Sequence, residues 1–439
     1  MFDNKDKQNN FKMTELGPLP EDWEVLRLGE VNAYQKKTIN PSDFPEEIFE
    51  YYSIPAYQEG KEPIFEKGKN IRSQKFLLKK GIVLFGKLNP RVEKVWFVES
   101  GSNYRLIGST EWIPIEASER VDPVFLYYLM WSEYVMPKAK KMVSGSTPSR
   151  QRIDLQKFFR IKIPLPSLPE QKAIARVLKT IQDAIEATER VIAAAKELKK
   201  SLMRHLFTYS PVPVAERNRV RLKQTEIGPI PEDWEVVRLG DYCRLFSGYA
   251  FKSSDFVDSG IMVVKIGNLQ NGTIIIDKRT SYFPPQKVTR QIEKYRLYEG
   301  DVLIALTGAT TGKIAVVPKE FEGSLLNQRV GKFEIFSRNL CRNFFRYLCL
   351  LDFFQKRIKE NILQSAQGNI SPRQIEQILI PLPPLPIQQK IAQILKAVDD
   401  KIEAEKKKKE ALQTFFKTML HHLMTGKIRV KISEEQNND

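Results

Sequence analysis

Two stretches of the chain place apolar residues at alternating steps of four and three. The first runs Ile174, Leu178, Ile181, Ile185, Thr188, Ile192, Ala195, Lys199, Leu202 and Leu206. The second runs Ile391, Leu395, Val398, Ile402, Glu405, Lys409, Leu412, Phe416, Met419 and Leu423. That spacing holds one stripe on one helix face and is the sign of a coiled-coil seam. Each predicted helix runs about 39 residues, roughly 58 Å at 1.5 Å per residue. Neither buries its stripe alone, so the two are expected to pack together, antiparallel, each leaving a globular domain at an opposite end. Glu405 and Lys409 interrupt the second seam. Such residues either fix register at a cost in stability or open the middle of the pair.

Ahead of each helix the pattern changes to short apolar runs bounded by glycine. Residues 81–86 and 300–305 read as buried strands, with 94–98 and 313–317 as their partners. Helices are predicted over 123–141 and 341–360, both rich in aromatics. Each interior therefore reads as a compact α+β domain. A proline-rich elbow, 164–169 and 381–386, precedes each long helix and is expected to end regular structure there.

The chain also repeats itself. Residues 14–29 read TELGPLPEDWEVLRLG and residues 225–240 read TEIGPIPEDWEVVRLG, identical at thirteen of sixteen positions. Residues 161–187 and 378–404 match at sixteen of twenty-seven. The offsets are 211 and 217 residues, so the halves are colinear, while the interiors between the matched segments do not align. A constant frame around a free interior suggests two related readers with different targets. The opening motif reads as a rigid turn closing on an aromatic anchor, Trp23 or Trp234, followed by a strand.

Charge narrows the partner. The net charge is +17 with a pI near 9.5, which favours polyanions. No apolar run approaches the roughly 20 residues needed to span a bilayer, and the amino terminus is too polar for a signal peptide. Three cysteines, Cys243, Cys341 and Cys349, make no disulfide framework and suit a reducing cytoplasm. Nucleic acid is the leading partner class.

Catalytic chemistry finds little support. The three histidines, His205, His421 and His422, all sit at the ends of the long helices, where structural roles are expected. No Cys/His cluster has zinc spacing. Residues 308–313, GATTGK, have one residue too few for a phosphate loop, and Ile314 stands where Ser or Thr would hold Mg²⁺. A strand-connecting turn is expected instead. Asn89-Pro90 opens like an amino-methyltransferase motif, but Arg91 and Val92 follow it.

Base readout needs Arg, Lys, Asn, Gln, Ser or Thr on exposed loops. Two loops sit in matching places just before the elbows, 144–152 and 364–373. They supply Ser146, Thr147, Arg150 and Arg152 in the first half, and Gln367, Asn369 and Arg373 in the second. The turns between paired strands add Lys87, Asn89 and Arg91, and Thr307, Thr310, Thr311 and Lys313. Gln328 and Arg329 complete the candidates. The lysine run 406–409 reads as a solvated face, with phosphate contact as the alternative.

The opening GPLPEDWEVxRLG, the IPLPxLPxQ elbow leading into a long helix, and the closing LMTGKIRV at 423–430 together resemble the DNA specificity subunit of type I restriction–modification enzymes. The likeness runs from Thr14 to Val430, in order and in both halves. It divides the chain into a first target-recognition domain (1–163), an elbow and spacer helix (164–209), a second recognition domain (210–380), a second elbow and helix (381–430) and a tail (431–439). The resemblance implies that each domain reads half of a split, asymmetric double-stranded DNA site and that the paired helices set the unread gap. It implies two methyltransferase subunits and further restriction/translocase subunits as partners. S-adenosylmethionine, ATP and Mg²⁺ would then belong to those partners, with no cofactor, catalytic residue or metal ligand in this chain. One departure is that residues 210–218, after the first helix, lack the TGK close found after the second. A fused enzyme and a stand-alone regulator of a split operator are the competing readings.

Overall fold

The computed structural model describes residues 10–99, 101–145, 147–270, 272–363 and 369–430. The chain forms two compact units, 1–189 with 407–439, and 190–406. The division falls inside both long helices, Leu168–Tyr209 and Leu385–Met424, so each unit holds one end of each helix.

The repeated frame has a direct physical meaning. Strand Glu24–Arg27 of the opening motif pairs antiparallel with Lys162–Leu165 of the elbow, Val25 opposite Pro164. Glu235–Arg238 pairs likewise with Leu379–Leu382, Val236 opposite Pro381. The two segments that recur in the sequence are partners in space, and each constrains the other. The elbow breaks regular structure only at residues 166–167 and 383–384, between strand and helix, and its first proline lies within the ribbon. Each ribbon has only two strands, so a proline without an N–H costs no ladder bond on its open edge. The opening motif likewise forms a hairpin rather than a bare turn: Phe11–Thr14 pairs with Gly17–Pro20, and Leu222–Thr225 with Gly228–Pro231. Gly17 and Gly228 leave the turns at φ +94° and +107°, where a side chain would be strained.

A buried glutamine ties each frame together. Gln171, fully buried, donates its amide to Pro166 O (2.9 Å) and Arg120 O (3.0 Å) and accepts from Asp122 N (2.9 Å). Gln388 repeats the set with Pro383 O, Asn339 O and Cys341 N, all at 2.8 Å. One side chain thus joins the elbow, the preceding loop and the start of an interior helix.

The interiors share a core as well. In the first, Ile48–Tyr52 pairs antiparallel with Ile64–Lys67 and parallel with Arg105–Gly108. In the second, Ile261–Val264 pairs antiparallel with Ser281–Phe283 and parallel with Leu325–Leu326. Each also has an antiparallel trio: Val83–Gly86 between Val95–Phe97 and Trp112–Ile115, and Val302–Ala305 between Ile314–Val316 and Val330–Ile335. Additions differ: Thr38–Ile39 and Lys75–Leu77 widen the first, while Cys243–Ser247 and a small ribbon at Leu269–Gln270 extend the second. Each helix predicted after the trio is two. Pro123–Trp131 stops at Ser132, and Pro137 in the first turn of Met136–Lys141 cannot continue an existing helix. Arg342–Leu348 and Asp352–Leu363 part at Cys349–Leu351, within an apolar run that has no single stripe.

The long helices pack antiparallel within each unit. In the first, Ile174, Leu178, Ile181 and Ile185 share a core with Leu412, Phe416, Met419 and Leu423. In the second, Leu202 and Leu206 share one with Ile391 and Leu395. Ile192 and Ile402 are buried and Val398 half-buried. The second helix continues unbroken through Glu405, which takes Lys401 Nζ at 2.6 Å, and Lys409, which pairs with Glu189 at 2.8 Å. It does not fray there. After the first helix the chain turns at Ser210 (φ +67°), and His205 Nε2 donates to Val212 O at 2.7 Å. Among the described residues, no helix is long and apolar enough to cross a membrane.

Replacing Gln171 by Leu is expected to destabilise the first unit by about 2–4 kcal/mol, because it strands a buried N–H and two carbonyls. Gln388→Leu should do the same to the second. Native-state hydrogen exchange checks this: protection should fall around Arg120–Asp122 or Asn339–Cys341 respectively, in the mutated unit alone.

Candidate nucleic-acid interface

The two loops proposed for each interior meet at one residue. In the first unit, Lys87 follows the central strand of the trio. Its N–H donates to Glu111 O (2.9 Å) and its carbonyl accepts from Ile153 N (3.0 Å). Asn89 N donates to Gln151 O at 2.8 Å, and Leu88 forms a bridge with Arg152. In the second unit, Leu306 N donates to Arg329 O and Leu306 O accepts from Ile370 N, both at 3.0 Å. The turn after the strand, the start of the next strand and the loop before the elbow are therefore laced into one surface, built the same way twice.

The individual candidates differ in what holds them. Asn89 sits at φ +48°, a left-handed conformation that Asn tolerates and most residues do not. Arg91, Thr147 and Arg150 are exposed. Arg152 is gripped by Glu111 through Nε (3.0 Å) and Nη2 (2.7 Å), which raises its already high pKa. In the second unit, Thr310 Oγ1 donates to Ile266 O (3.3 Å) and so ties the turn to the segment Ile266–Asn268, while Thr311 Oγ1 donates to Gly308 O (2.6 Å) within the turn itself. Thr307 Oγ1 is buried without a hydrogen-bond partner. Lys313, Gln328 and Arg329 are exposed, and Asn369 is half-buried beside them. Arg373 is exposed on the short helix Pro372–Glu376, capped by Ser371. Ser146 and Gln367 lie outside the described residues. Gly308 and Gly312 both adopt positive φ, and a Cβ on Gly312 would fall 2.6 Å from Ile358 Cγ2, so residues 307–313 form a packed connecting turn.

Lys94 was not among the candidates, yet it shapes the first loop. Its side chain is 3% exposed, and its ammonium donates to Val92 O (2.7 Å) and Asn89 O (3.2 Å). Burial holds its pKa below the ordinary lysine range. Gly86 makes room for it, since a Cβ there would come within 2.7 Å of Lys94 Cβ. The Gly86/Lys94 pairing was visible in the sequence only as strand-end residues.

The groups usual in catalysis are placed otherwise. Burial pushes the Cys243 thiol up to about 12 and Cys349 well above its ordinary value, which leaves neither as a thiolate. His421 lies between Glu133 (3.1 Å) and Lys427 (3.0 Å) at a helix end. No group of His, Cys, Asp or Glu among the described residues is arranged to hold a metal ion.

A family model described as the type I restriction modification DNA specificity domain matches the chain twice, over residues 20–197 and 231–414. The chain belongs to this family. The type I restriction enzyme MjaVIII specificity subunit of Methanocaldococcus jannaschii is 31% identical over 97% of both chains. The putative MjaX specificity subunit of the same organism is 29% identical over 97% of this chain and 98% of that one. A solved structure of the type I restriction–modification S subunit from M. genitalium shares the fold, with a TM-score of 0.59 at 17% identity, covering 96% of this chain and 99% of the other. Each family match begins at the opening motif and runs past the elbow into a long helix, so it coincides with the paired frame described above.

Lys94→Met should leave the melting temperature nearly unchanged, because Met fills the same channel. The unsatisfied carbonyls of Asn89 and Val92 should loosen the loop by about 1–2 kcal/mol. Amide exchange at residues 89–93 should accordingly accelerate roughly tenfold or more. Unchanged protection there would deny Lys94 this role.

Proposed function

We propose that this chain is the non-catalytic DNA-recognition subunit of a type I restriction–modification complex. Each head reads one half of a split, asymmetric duplex site, and the antiparallel helices set the unread spacing between the halves. Two methyltransferase subunits and the restriction/translocase subunits assemble on it in the cytoplasm, bringing S-adenosylmethionine, ATP and Mg²⁺ with them. The observation that carries this reading is the loop surface built twice on one frame: same hydrogen-bond lacing, different side chains. A protein that reads two unlike sequences with one architecture needs that arrangement. The excess positive charge supplies the sequence-independent phosphate attraction such a reader requires. The family match across both heads argues against a stand-alone regulator of a split operator.

Mapping methylated adenines genome-wide with and without this gene tests the proposal. A split motif should vanish with the gene, and persistence of every motif would reject it. Inserting one heptad into each long helix should widen the unread gap and leave both half-sites intact. An altered half-site would argue against the helices as spacers. Exchanging residues 30–160 for another reader's interior should change one half-site only.

A further inference from the structure

The lacing described above also matches individual positions between the heads. Glu111 precedes Trp112, which lies opposite Gly86 at the end of the central strand, and Arg329 precedes Val330, opposite Ala305. Arg152 precedes Ile153 and Asn369 precedes Ile370, the two isoleucines whose N–H groups close on Lys87 O and Leu306 O at 3.0 Å. At the same two places, then, the first head carries Glu and Arg, and the second carries Arg and Asn. These are the residue types that read base edges in the major groove. Arg forms a bidentate contact with guanine O6 and N7, and Asn does so with adenine N6 and N7.

In the first head the acid is already engaged. Glu111 occupies one edge of the Arg152 guanidinium, Nε and one hydrogen of Nη2. The other edge, Nη1 with the second hydrogen of Nη2, has the fork geometry that guanine accepts. An ion pair this exposed, 46% and 26% of the two side chains, adds little to stability. What it does is restrict the rotamers of a long side chain before DNA arrives, which lowers the cost of ordering it on binding. The backbone beneath is fixed too: Arg152–Ile153 pairs with Val143–Ser144, and Glu111 N donates to Ser109 Oγ at 3.2 Å.

We propose that these two matched positions set the specificity of each head. Arg152, aimed by Glu111, reads a guanine in one half-site; Arg329 reads a guanine and Asn369 an adenine in the other. Glu111 is a positioning residue and touches no base. The inference rests on the reading of the chain as a DNA specificity subunit.

Methylation maps of cells carrying the complete system with single variants of this chain provide the test. Arg152→Ala should relax one G·C position in one half-site by on the order of 10- to 100-fold, with the other half-site unchanged. Glu111→Gln should relax the same position less, and Glu111→Asp should largely restore it. Arg329→Ala should relax a G·C position, and Asn369→Ala an A·T position, both in the other half-site. Arg152→Lys keeps charge and length but lacks the fork, so it should relax the same G·C pair even if the alanine variant folds poorly. A wild-type split site that maps cleanly and is read unchanged by the Arg152 and Arg329 variants would overturn this inference alone. A wild-type map without a split site would instead count against the subunit reading on which it rests.

Discussion

Everything else in each unit depends on one pairing, the opening strand against the elbow strand. It joins two segments more than 130 residues apart at the point where a long helix begins, and a fully buried glutamine completes it. Once the ends of an interior are held together in this way, its loops can change length and chemistry without moving the helix that follows. Gln171 and Gln388 satisfy the same three backbone groups in both halves, so neither half tolerates an apolar residue there. The frame is constrained by partners on both sides, the interior surface by neither. That difference explains why a chain this long repeats only at its joints.

The two units use the same plan with different polar chemistry. In the first, Trp23 Nε1 donates to Glu170 (3.0 Å), and Arg429 bridges Glu170 (2.5 Å) to Asp22 (2.7 Å). Burial pushes the Glu170 carboxyl above its ordinary range, with the Arg429 guanidinium pulling the other way. In the second, Trp234 is equally buried but its Nε1 has no partner, because Ile387 occupies the place of Glu170 in the repeated segment. The balance reverses further along the helices. Asp399 gathers Lys199 (2.6 Å), Tyr347 (2.8 Å) and Arg346 (3.2 Å), while the matching place in the first unit holds Phe416 against Tyr128, with ring centroids 5.9 Å apart. A lysine brought to the place of Phe416 would lose its acid, and a phenylalanine brought to the place of Lys199 would take from Asp399 one of its two cations. Such mismatches favour one pairing of helix ends with heads over the exchanged one.

Much of the architecture was legible along the chain because it rests on periodicity and repetition. The four-three spacing marked both helices, since a buried stripe must recur once per turn, and the duplicated motifs marked the frame. The candidate loops were found by residue type and by their twinned places. The sequence did not disclose that Lys94 is a buried support, that Thr310 bonds the distant Ile266 and Thr311 its own turn, or that Glu111 grips Arg152. Each of those is a contact between residues separated by anything from two positions to more than forty, and no local pattern encodes them.

What the sequence determined by itself was therefore the number of units, the order of their parts and the helices that join them, because hydrophobic period and internal identity are properties of a line of residues. Tertiary structure alone decided the rest. Whether a proline sits in an elbow or in a ribbon, and which of the first head's candidate cations, Lys87, Arg91, Arg150 or Arg152, is held in place by an acid, depends on what the returning chain sets beside them. Hydrogen bonds and ion pairs act over about 3 Å, and at that range only the folded chain defines a neighbour.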